Sequence, residues 1–405
     1  MSSSISKDML KPALVLGLLS CVGPFAVDMY LPALPAIAAD LKASIASTQG
    51  TLTSFFVAFG MAQLVYGPLA DEFGRKPPLY AGLAILILAS LACAFAPSIF
   101  WLEVCRFFQG AGAAVVMVIP RAIIRDLYTG VAATRLMSLI MLVISVSPML
   151  APLTGSGLIA FFGWQSIFVV LAGASLCSLI ASTFVLPETL REENRVPFSL
   201  QYQLGAARAL MADRFFLSVT FVAGFGMASF FVYIASASFV YTQQFGLSAM
   251  GFSLAFAFNA LAFFSASQLA APLGEKYGLS RLIAYGMTGH LGFLLLLLVV
   301  TLLGLANLYV IVGLFFCASG CFGVVMPTAM VLALEDHGEN AGLASSIGGT
   351  LQMLAGSVII VLAGPFFDGT ALPMVAAMAI CSAAAFALSH LSLRTRARAM
   401  TTERV

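Results

Sequence analysis

Charged side chains are scarce in this sequence. They make up 9% of the 405 residues, whereas hydrophobic side chains make up 61%. Soluble domains carry roughly 25% charged residues, and so few ions could not cover a surface exposed to water. The composition therefore excludes an ordinary soluble fold and favours a chain surrounded by lipid, in which each crossing needs about 20 apolar residues.

Apolar runs of that length recur about twelve times between charges, Pro/Gly clusters and polar stretches. They predict an all-α integral membrane protein. The predicted spans are 12–38, 49–70, 77–97, 99–126, 134–160, 163–186, 214–241, 248–271, 281–303, 306–334, 341–366 and 370–392.

Lys and Arg fall almost entirely on one side of the predicted spans. Basic residues of short loops accumulate on the cytoplasmic side, so both termini are predicted to be cytoplasmic. The opposite loops hold only Lys42. The cytoplasmic set is Lys7, Lys11, Arg75, Lys76, Arg125, Arg135, Arg191, Arg195, Arg208, Arg214, Lys276, Arg281, Arg394, Arg396, Arg398 and Arg404.

Clusters typical of metal sites, disulfide frameworks and nucleotide sites are also missing. The seven cysteines all lie in predicted spans, with no CxxC pair and no neighbouring His. Cys317 and Cys321 lie one helical turn apart and are interpreted as packing residues. With no GxxxxGK[ST] motif and a net charge of only +2, we expect no metal, no cofactor and no nucleic-acid partner.

A polar segment divides the chain into two halves of equal topology. The prediction is a six-helix bundle over 1–186, a cytoplasmic linker over 187–213 and a second six-helix bundle with a short basic tail over 214–405. The halves echo each other: PLADEFG at 68–74 corresponds to PLGEKYG at 272–278, an offset of 204 residues. Parallel repeats of this kind occur in transporters with six plus six helices.

The loop after the second span carries the strongest motif. It reads GPLADEFGRKPPL over 67–79, and it resembles the GxLaDrxGrkxxl signature of the major facilitator superfamily. The resemblance implies the major facilitator fold, with about 12 transmembrane helices in two bundles. It also gives the loop a conformational role, in which glycines permit a turn and close helix approach and the acid pairs with an Arg. The four residues concerned are Gly67, Asp71, Gly74 and Arg75.

Three further motifs narrow the resemblance to one branch. RFFQGAG at 106–112 is similar to the helix-4 motif of proton-driven drug exporters, and DMYLPALP at 28–35 and PRAIIRDLY at 120–128 resemble the Bcr/CflA branch, associated with bicyclomycin and chloramphenicol resistance. The helix-5 motif of such antiporters reads GPxxGG. Here Ala151 and Ser156 replace two of its glycines, and the motif residues are Pro148, Pro152 and Gly155.

Asp28 is the only acid deep within a predicted span. An acid there costs about 2.5–3.5 kcal/mol on insertion scales, and such residues mark ion pathways. By helical rise, Asp28 lies about 15 Å and Arg106 about 12 Å below the outer ends of their spans. If both helices line the central cavity, as the resemblance implies, Arg106 can stabilise the charged acid. We expect the two residues to couple proton and drug movement, although a salt bridge that only fixes packing is the alternative.

Aromatic and amide side chains in the spans are candidates for the drug site. An amphipathic drug pocket needs such groups, yet each one alone could equally be a packing residue. The candidates are Tyr30, Gln109, Met117, Phe230, Tyr233, Asn259 and Gln352. Glu103, nearer the outer surface, is interpreted as an interfacial charge, and His290 as a structural histidine in preference to a proton relay.

The predicted function is proton-coupled efflux of small amphipathic antibiotics by alternating access, powered by the proton gradient, in the inner (plasma) membrane. A proton-coupled importer or symporter on the same fold is the alternative, because the fold does not decide direction. An enzyme is not expected, since no span holds a catalytic constellation. The partners are the drug, protons and the lipid bilayer, and the chain is expected to act as a monomer.

Overall fold

The computed structural model describes residues 7–197, 199–335, 337 and 341–402, and these residues form helices and connecting turns without a strand. Twelve helical segments within them are long and apolar enough to cross a membrane, which confirms the number of predicted spans. The helices are α1 Lys7–Asp28, α2 Leu34–Asp40, α3 Ile45–Phe73, α4 Lys76–Ala94, α5 Ile99–Ala113, α6 Val115–Leu127, α7 Gly130–Phe162, α8 Gln165–Val185, α9 Leu200–Ala212, α10 Arg214–Phe239, α11 Ala249–Ser267, α12 Ala270–Tyr277, α13 Leu279–Leu302, α14 Leu308–Leu334, α15 Ala341–Ala363 and α16 Ala371–Thr402. Arg404 lies outside the described residues, and the orientation in the membrane stays a prediction.

The chain forms two compact units. Unit 1 comprises Met1–Ala43 and Ser54–Ser199, and unit 2 comprises Ser44–Thr53 and Leu200–Val405. In unit 1, α1 packs against α7 and α8, while α4 packs against α5 and α8. In unit 2, α10 packs against α14, α15 and α16, and α13 packs against α14 and α16.

The first span is not one continuous helix. α1 ends at Asp28, and a 3₁₀ turn over Leu31–Ala33 leads into α2. Pro32 and Pro35 both lie in the first turn of the short helices that follow the break. A first-turn proline costs no hydrogen bond, because that N–H would have no helical partner. The break therefore leaves Asp28 at a helix end inside the span.

Other spans also depart from simple helices. The fourth span divides at Ala114 into α5 and α6, and the seventh continues from α10 into a π-helical turn over Val240–Gln244. The predicted linker contains a helix of its own, α9, of 13 residues. Pro148 and Pro152 lie inside α7, which runs unbroken through both.

The predicted repeat is visible in the backbone of the two corresponding loops. Gly74 has φ +96° and Gly278 has φ +82°. Residues with a Cβ rarely adopt this conformation, so glycine is favoured at both turns. The two loops, 204 residues apart in sequence, therefore share a glycine of positive φ shortly before α4 and α13, although α13 begins directly after Gly278 and α4 begins two residues after Gly74.

Candidate functional site

Asp28 lies at the carboxyl end of α1, and only 7% of its surface is exposed. Within the described part of the chain, its carboxylate has no ion-pair partner within 4.0 Å and no side-chain hydrogen bond. The predicted contact with Arg106 is therefore not formed in this structure. Asp28 is a buried acid without a counter-ion.

Arg106, on α5, is fully buried and is held by other groups. Its Nη1 donates to the main-chain carbonyl of Ala26 at 3.0 Å and to Oε1 of Gln109 at 2.5 Å. The guanidinium lies over the ring of Tyr30 at 4.3 Å and over the ring of Phe55 at 4.4 Å. Since Ala26 is two residues from Asp28, Arg106 bonds to the last turn of the helix that carries Asp28.

These contacts hold Arg106 in place of a carboxylate. Desolvating one ion costs several kcal/mol. A desolvated cation–π contact contributes about 2 kcal/mol, and a hydrogen bond from a charged donor about 1.5–3 kcal/mol. Both kinds of contact act against the desolvation cost. Nε and Nη2 of Arg106 remain buried without a hydrogen-bond partner among the described residues.

Tyr30 and Gln109 are brought together by Arg106, and both are fully buried. Gln109 extends this hydrogen-bond network to α4, because its Nε2 donates to the hydroxyl of Ser90 at 2.8 Å. The ring of Tyr30 packs against Phe168 of α8, with centroids 5.7 Å apart. These two predicted drug contacts therefore also fix the helix packing around Arg106.

Met117 lies on α6, away from this network and against α1. A Cβ built at Gly23 would lie 3.7 Å from its Cγ. The helix-5 motif also reaches α1: a Cβ built at Gly155 would collide with the main-chain oxygen of Met29. Gly155 thus allows α7 to approach the backbone next to Asp28.

The motif loop of unit 1 is organised around Arg75, which is 6% exposed. Its Nη1 lies 2.5 Å from Oδ1 of Asp71, and its Nε and Nη2 lie 2.7 and 3.2 Å from the two carboxylate oxygens of Asp126. Planar Arg–carboxylate pairing of this kind adds geometric specificity as well as energy. Arg75 therefore joins α3, the loop and the end of α6. Gly67 is different: it lies inside α3, and a Cβ there would meet nothing within 4 Å, so neither a turn nor a close approach explains it.

Glu188, which follows α8, caps the amino-terminal end of α4. Its two carboxylate oxygens accept from the backbone N–H of Arg75 at 2.9 Å and of Lys76 at 3.0 Å. Pro77 and Pro78 have no N–H, and the N–H of Leu79 donates to the Arg75 carbonyl. Each backbone N–H group at the start of α4 therefore has a hydrogen-bond acceptor.

The hydrogen bonds also shift the titration of this acid. Burial alone would raise the pKa of Glu188, but four backbone amides donate to its carboxylate and lower the pKa below its usual value. Hydrogen bonds to the charged form favour that form. Glu188 therefore acts as a charged cap of α4.

In unit 2, three of the predicted drug-site residues form one cluster. Nδ2 of Asn259 donates to the hydroxyl of Tyr233 at 3.1 Å, and the Tyr233 ring lies 6.3 Å from the ring of Phe230. The Tyr233 ring also lies 4.0 Å from that of Phe315 and stacks on Phe256 at 5.9 Å. The side-chain amide oxygen of Asn259, Oδ1, is buried without a hydrogen-bond partner among the described groups.

The remaining candidates lie apart from these clusters. Gln352 is on α15 next to Gly224 of α10. His290 is 2% exposed, with Nδ1 2.9 Å from the carbonyl of Ala318, which fits the structural interpretation. In the described ranges no group of three or more His, Cys, Asp or Glu could hold a metal ion, and the cysteines are free thiols.

Sequence reasoning missed three groups that the structure brings into these sites. Asp126 follows Arg125, and the sequence pattern there indicates only a cytoplasmic loop, not a partner for Arg75. Glu188 lies in the polar segment after the sixth span, where an acid is ordinary. Phe55 is one of 34 phenylalanines, and nothing in the sequence distinguishes it.

Comparison with known proteins agrees with the motifs. The sequence matches the Major Facilitator Superfamily over residues 16–360. It is 35% identical over 376 residues to the "Uncharacterized MFS-type transporter YdgK" of Bacillus subtilis, with 92% of each chain covered. It is 32% identical over 368 residues to the "Bicyclomycin resistance protein homolog" of Haemophilus influenzae, with 91% of this chain and 92% of that protein covered. It is 31% identical over 340 residues to the "Multidrug resistance protein MdtL" of Klebsiella pneumoniae, with 84% and 85% covered.

Solved structures share the fold at low sequence identity. A bacterial homologue of the human lysosomal transporter Spinster superposes with a TM-score of 0.76 at 14% identity, covering 97% of this chain and 98% of that one. A D-xylose–proton symporter superposes with a TM-score of 0.74 at 15% identity, covering 95% and 97%. At these identities the similarity shows the architecture alone.

Proposed function

Because the chain belongs to the major facilitator superfamily, we propose that it exports small amphipathic drugs in exchange for protons. It is a multi-pass membrane protein, and its family and fold are those of a transporter of small molecules and not of an enzyme. Its bacterial relatives imply the inner membrane. The names of two relatives, which agree with the Bcr/CflA branch, support drug export.

One observation supports proton coupling: Asp28 is a buried carboxylate, at a break in the first span, with no counter-ion among the residues that the structure describes. A buried charge without a partner is costly, so such a group responds to its surroundings by gaining or losing a proton. Access that alternates between the two sides of the membrane changes those surroundings. Asp28 is thus suited to take a proton on one side and lose it on the other.

The proposed cycle has two halves. With outward access, Asp28 takes up a proton and the drug leaves. With inward access, Asp28 loses the proton to the cytoplasm, and the drug-binding state returns. The energy source is the proton gradient, the cycle needs no cofactor, and a single chain is sufficient.

Arg106 has a positioning role in this proposal. It bonds to the Ala26 carbonyl, at the last turn of α1, and so fixes the helix end that carries Asp28. The motif loop, with Gly67, Asp71, Gly74 and Arg75, is proposed to stabilise one of the two access states through the pairing of Arg75 with Asp126. Tyr30, Gln109 and Met117 of unit 1, and Phe230, Tyr233, Asn259 and Gln352 of unit 2, are the candidate drug contacts.

The test is drug-triggered proton movement in proteoliposomes with an internal pH dye. Chloramphenicol and bicyclomycin are added to vesicles with a preformed gradient. The wild-type chain is compared with Asp28→Asn, which keeps the shape of the side chain but cannot exchange a proton. Asp368→Asn, in a loop of unit 2 where the carboxylate accepts hydrogen bonds from the N–H and the hydroxyl of Thr370, is the matched control.

We expect drug addition to dissipate the gradient with the wild type and with Asp368→Asn, but not with Asp28→Asn. Undiminished proton movement with Asp28→Asn would refute the coupling role. Because the fold also serves a D-xylose–proton symporter, labelled drug is followed in the same vesicles. Movement of drug and protons in the same direction would identify an importer.

A further inference from the structure

Two cysteines of unit 1 lie opposite each other on neighbouring helices. Cys93 is one residue before the end of α4, and Cys105 is six residues after the start of α5. These two helices are consecutive spans that pack against each other in opposite directions. The side chains of Cys93 and Cys105 interact, and both are free thiols. The proposed transport cycle makes no use of this pair.

The packing of α4 on α5 explains why the two side chains meet. A Cβ built at Gly112 would lie 2.6 Å from the backbone nitrogen of Leu86, so the two backbones are in close contact there. Cys105 is seven residues before Gly112, and Cys93 is seven residues after Leu86. Seven residues are about two helical turns, so both cysteines return to the shared face at the same level. Gly112 thus brings the helices close enough for short side chains to touch.

A hydrogen bond between the same two helices fits this register. Nε2 of Gln109 donates to the hydroxyl of Ser90 at 2.8 Å, and both residues are fully buried. Gln109 is four residues after Cys105, and Ser90 is three residues before Cys93, so this bond lies one turn from the thiols. The bond and the contact at Gly112 therefore hold the two cysteines face to face.

The two thiols differ in their exposure. Cys93 is fully buried, whereas Cys105 is partly exposed. Trp101 and Phe108, one turn before and one turn after Cys105, are both more than half exposed. Since large apolar side chains exposed along a membrane span face lipid, Cys105 lies where the interface of α4 and α5 meets the bilayer. A reagent that reaches the pair by this route has to dissolve in the membrane.

We propose that Cys93 and Cys105 form a redox-sensitive dithiol that closes to a disulfide between α4 and α5, with a lipid-soluble quinone as the oxidant. Both S–H bonds break and one S–S bond forms. The two electrons and the two protons pass to the quinone, which is reduced to the hydroquinone. Cys105 is the thiol that meets the quinone, and Cys93 is its partner in the new bond. Facing cysteines on helices in backbone contact suit the short Cβ separation that a disulfide requires.

The disulfide forms next to the contacts of Arg106. This residue directly follows Cys105 and bonds to Gln109, which bonds in turn to α4. The new bond ties the two helices covalently and closes a short loop of chain. Because a cross-link restricts the unfolded chain, it stabilises the folded state. Oxidation is therefore expected to raise the unfolding temperature.

Counting thiols in a lipid environment tests the proposal. The full chain is purified under reducing conditions, reconstituted in nanodiscs, freed of reductant and incubated with decylubiquinone, a quinone whose ring has no position open to thiol addition. The protein is then denatured, and its remaining thiols are labelled with a maleimide and counted by mass spectrometry. A second sample is reduced before labelling.

We expect the wild type to lose two of its seven thiols and to regain both on reduction. Peptide mapping should show one cross-link, between Cys93 and Cys105. Cys93→Ala and Cys105→Ala should each keep all their remaining thiols. Cys317→Ala is the matched control, because Cys317 and Cys321 lie one turn apart on the single helix α14. This variant should lose two thiols, as the wild type does.

The unfolding temperature gives a second measurement. Oxidised wild type should unfold several degrees above the reduced wild type, and Cys93→Ala treated in the same way should not change. An unchanged unfolding temperature with the disulfide formed would refute the joining of α4 to α5 as a stabilising event.

Three further results would overturn the proposal. One is a wild type that keeps every thiol in the presence of the quinone. Another is a cross-link that involves other cysteines. The third is equally fast oxidation by oxidised glutathione, which does not enter the bilayer, since the route through the membrane would then be wrong. The assay uses neither drug nor gradient, so failure of proton coupling would not affect it.

Discussion

Arg106 donates a hydrogen bond of 3.0 Å to the main-chain carbonyl of Ala26, two residues before Asp28, and does not pair with the carboxylate of Asp28. The contact ties α5 to the end of α1 while leaving the acid unpaired. A permanent Asp28–Arg106 pair would hold the acid in its charged form. In the observed arrangement, Arg106 holds the helix end that carries Asp28, and the carboxylate of Asp28 has no charged partner among the described residues.

Replacement of Arg106 by Lys should destabilise the protein although the charge is kept. An ammonium group lacks the planar fork that lies between the rings of Tyr30 and Phe55 while bonding to Gln109. We expect a loss of about 2 kcal/mol in unfolding free energy, within the range for a disrupted buried network. Thermal unfolding in detergent, followed by circular dichroism, measures it.

Arg191→Lys is the control for that prediction. Its side chain is 81% exposed and forms an ion pair with the exposed Glu193 at 3.5 Å, so the change should stay within about 0.5 kcal/mol. Equal melting temperatures for Arg106→Lys and the wild type would mean that the aromatic rings and Gln109 contribute little to holding the charge.

The spans were predictable because apolar runs bounded by charges and turns define them without tertiary information. The predicted span 341–366 coincides with α15 and its closing 3₁₀ turn. The break after Asp28 was harder to predict, because prolines are tolerated inside membrane helices as well as at helix starts. α7 contains two prolines and has no break, so prolines alone do not show where a membrane helix is interrupted.

The partners of Arg106 could not be predicted from the sequence. One is a main-chain carbonyl, which every residue offers, and another is Phe55, one of 34 phenylalanines in the chain. The sequence showed which side chains carry charge in the membrane. Which of them pair depends on the rotation of each helix about its axis, and short motifs do not specify that rotation.

Glu188→Gln should loosen the start of α4. The pKa of Glu188 in the folded protein lies below its usual value, so its contribution is present above the ordinary Glu range and is lost as pH falls through the folded pKa. At neutral pH, we expect the amides of Arg75 and Lys76 to exchange hydrogen roughly two- to fivefold faster in the variant, the equivalent of about 0.3–1 kcal/mol. Hydrogen–deuterium exchange read by mass spectrometry measures it.

The same experiment at falling pH separates the charge from the shape of the side chain. The difference between wild type and Glu188→Gln should disappear only once the pH has fallen through the lowered pKa of Glu188 in the folded protein, because the wild-type acid is neutral below that pKa. Glu192→Gln, an exposed acid of the same linker segment, should show no effect at any pH. A difference that persists at low pH would assign the cap to packing.

Gly155→Ala should impair both stability and transport, because α7 lies very close to the backbone of the first span at this residue. A Cβ at Gly155 would collide with the main-chain oxygen of Met29, and backbone cannot move aside as a flexible side chain does. The positions where the antiporter motif has lost its glycines, Ala151 and Ser156, are buried but tolerate a side chain. The glycine that remains is therefore the one that the packing requires.

Overpacking of this kind costs about 1–3 kcal/mol, and the strain falls on the backbone next to Asp28. We therefore expect a lower melting temperature together with slower drug-dependent proton movement in proteoliposomes. Gly157→Ala is a matched control on the same helix, since a Cβ there meets nothing within 4 Å. It should be neutral or slightly stabilising, because alanine is the better helix former. If both variants behaved like the wild type, close packing at Gly155 could not be what positions the break that carries Asp28.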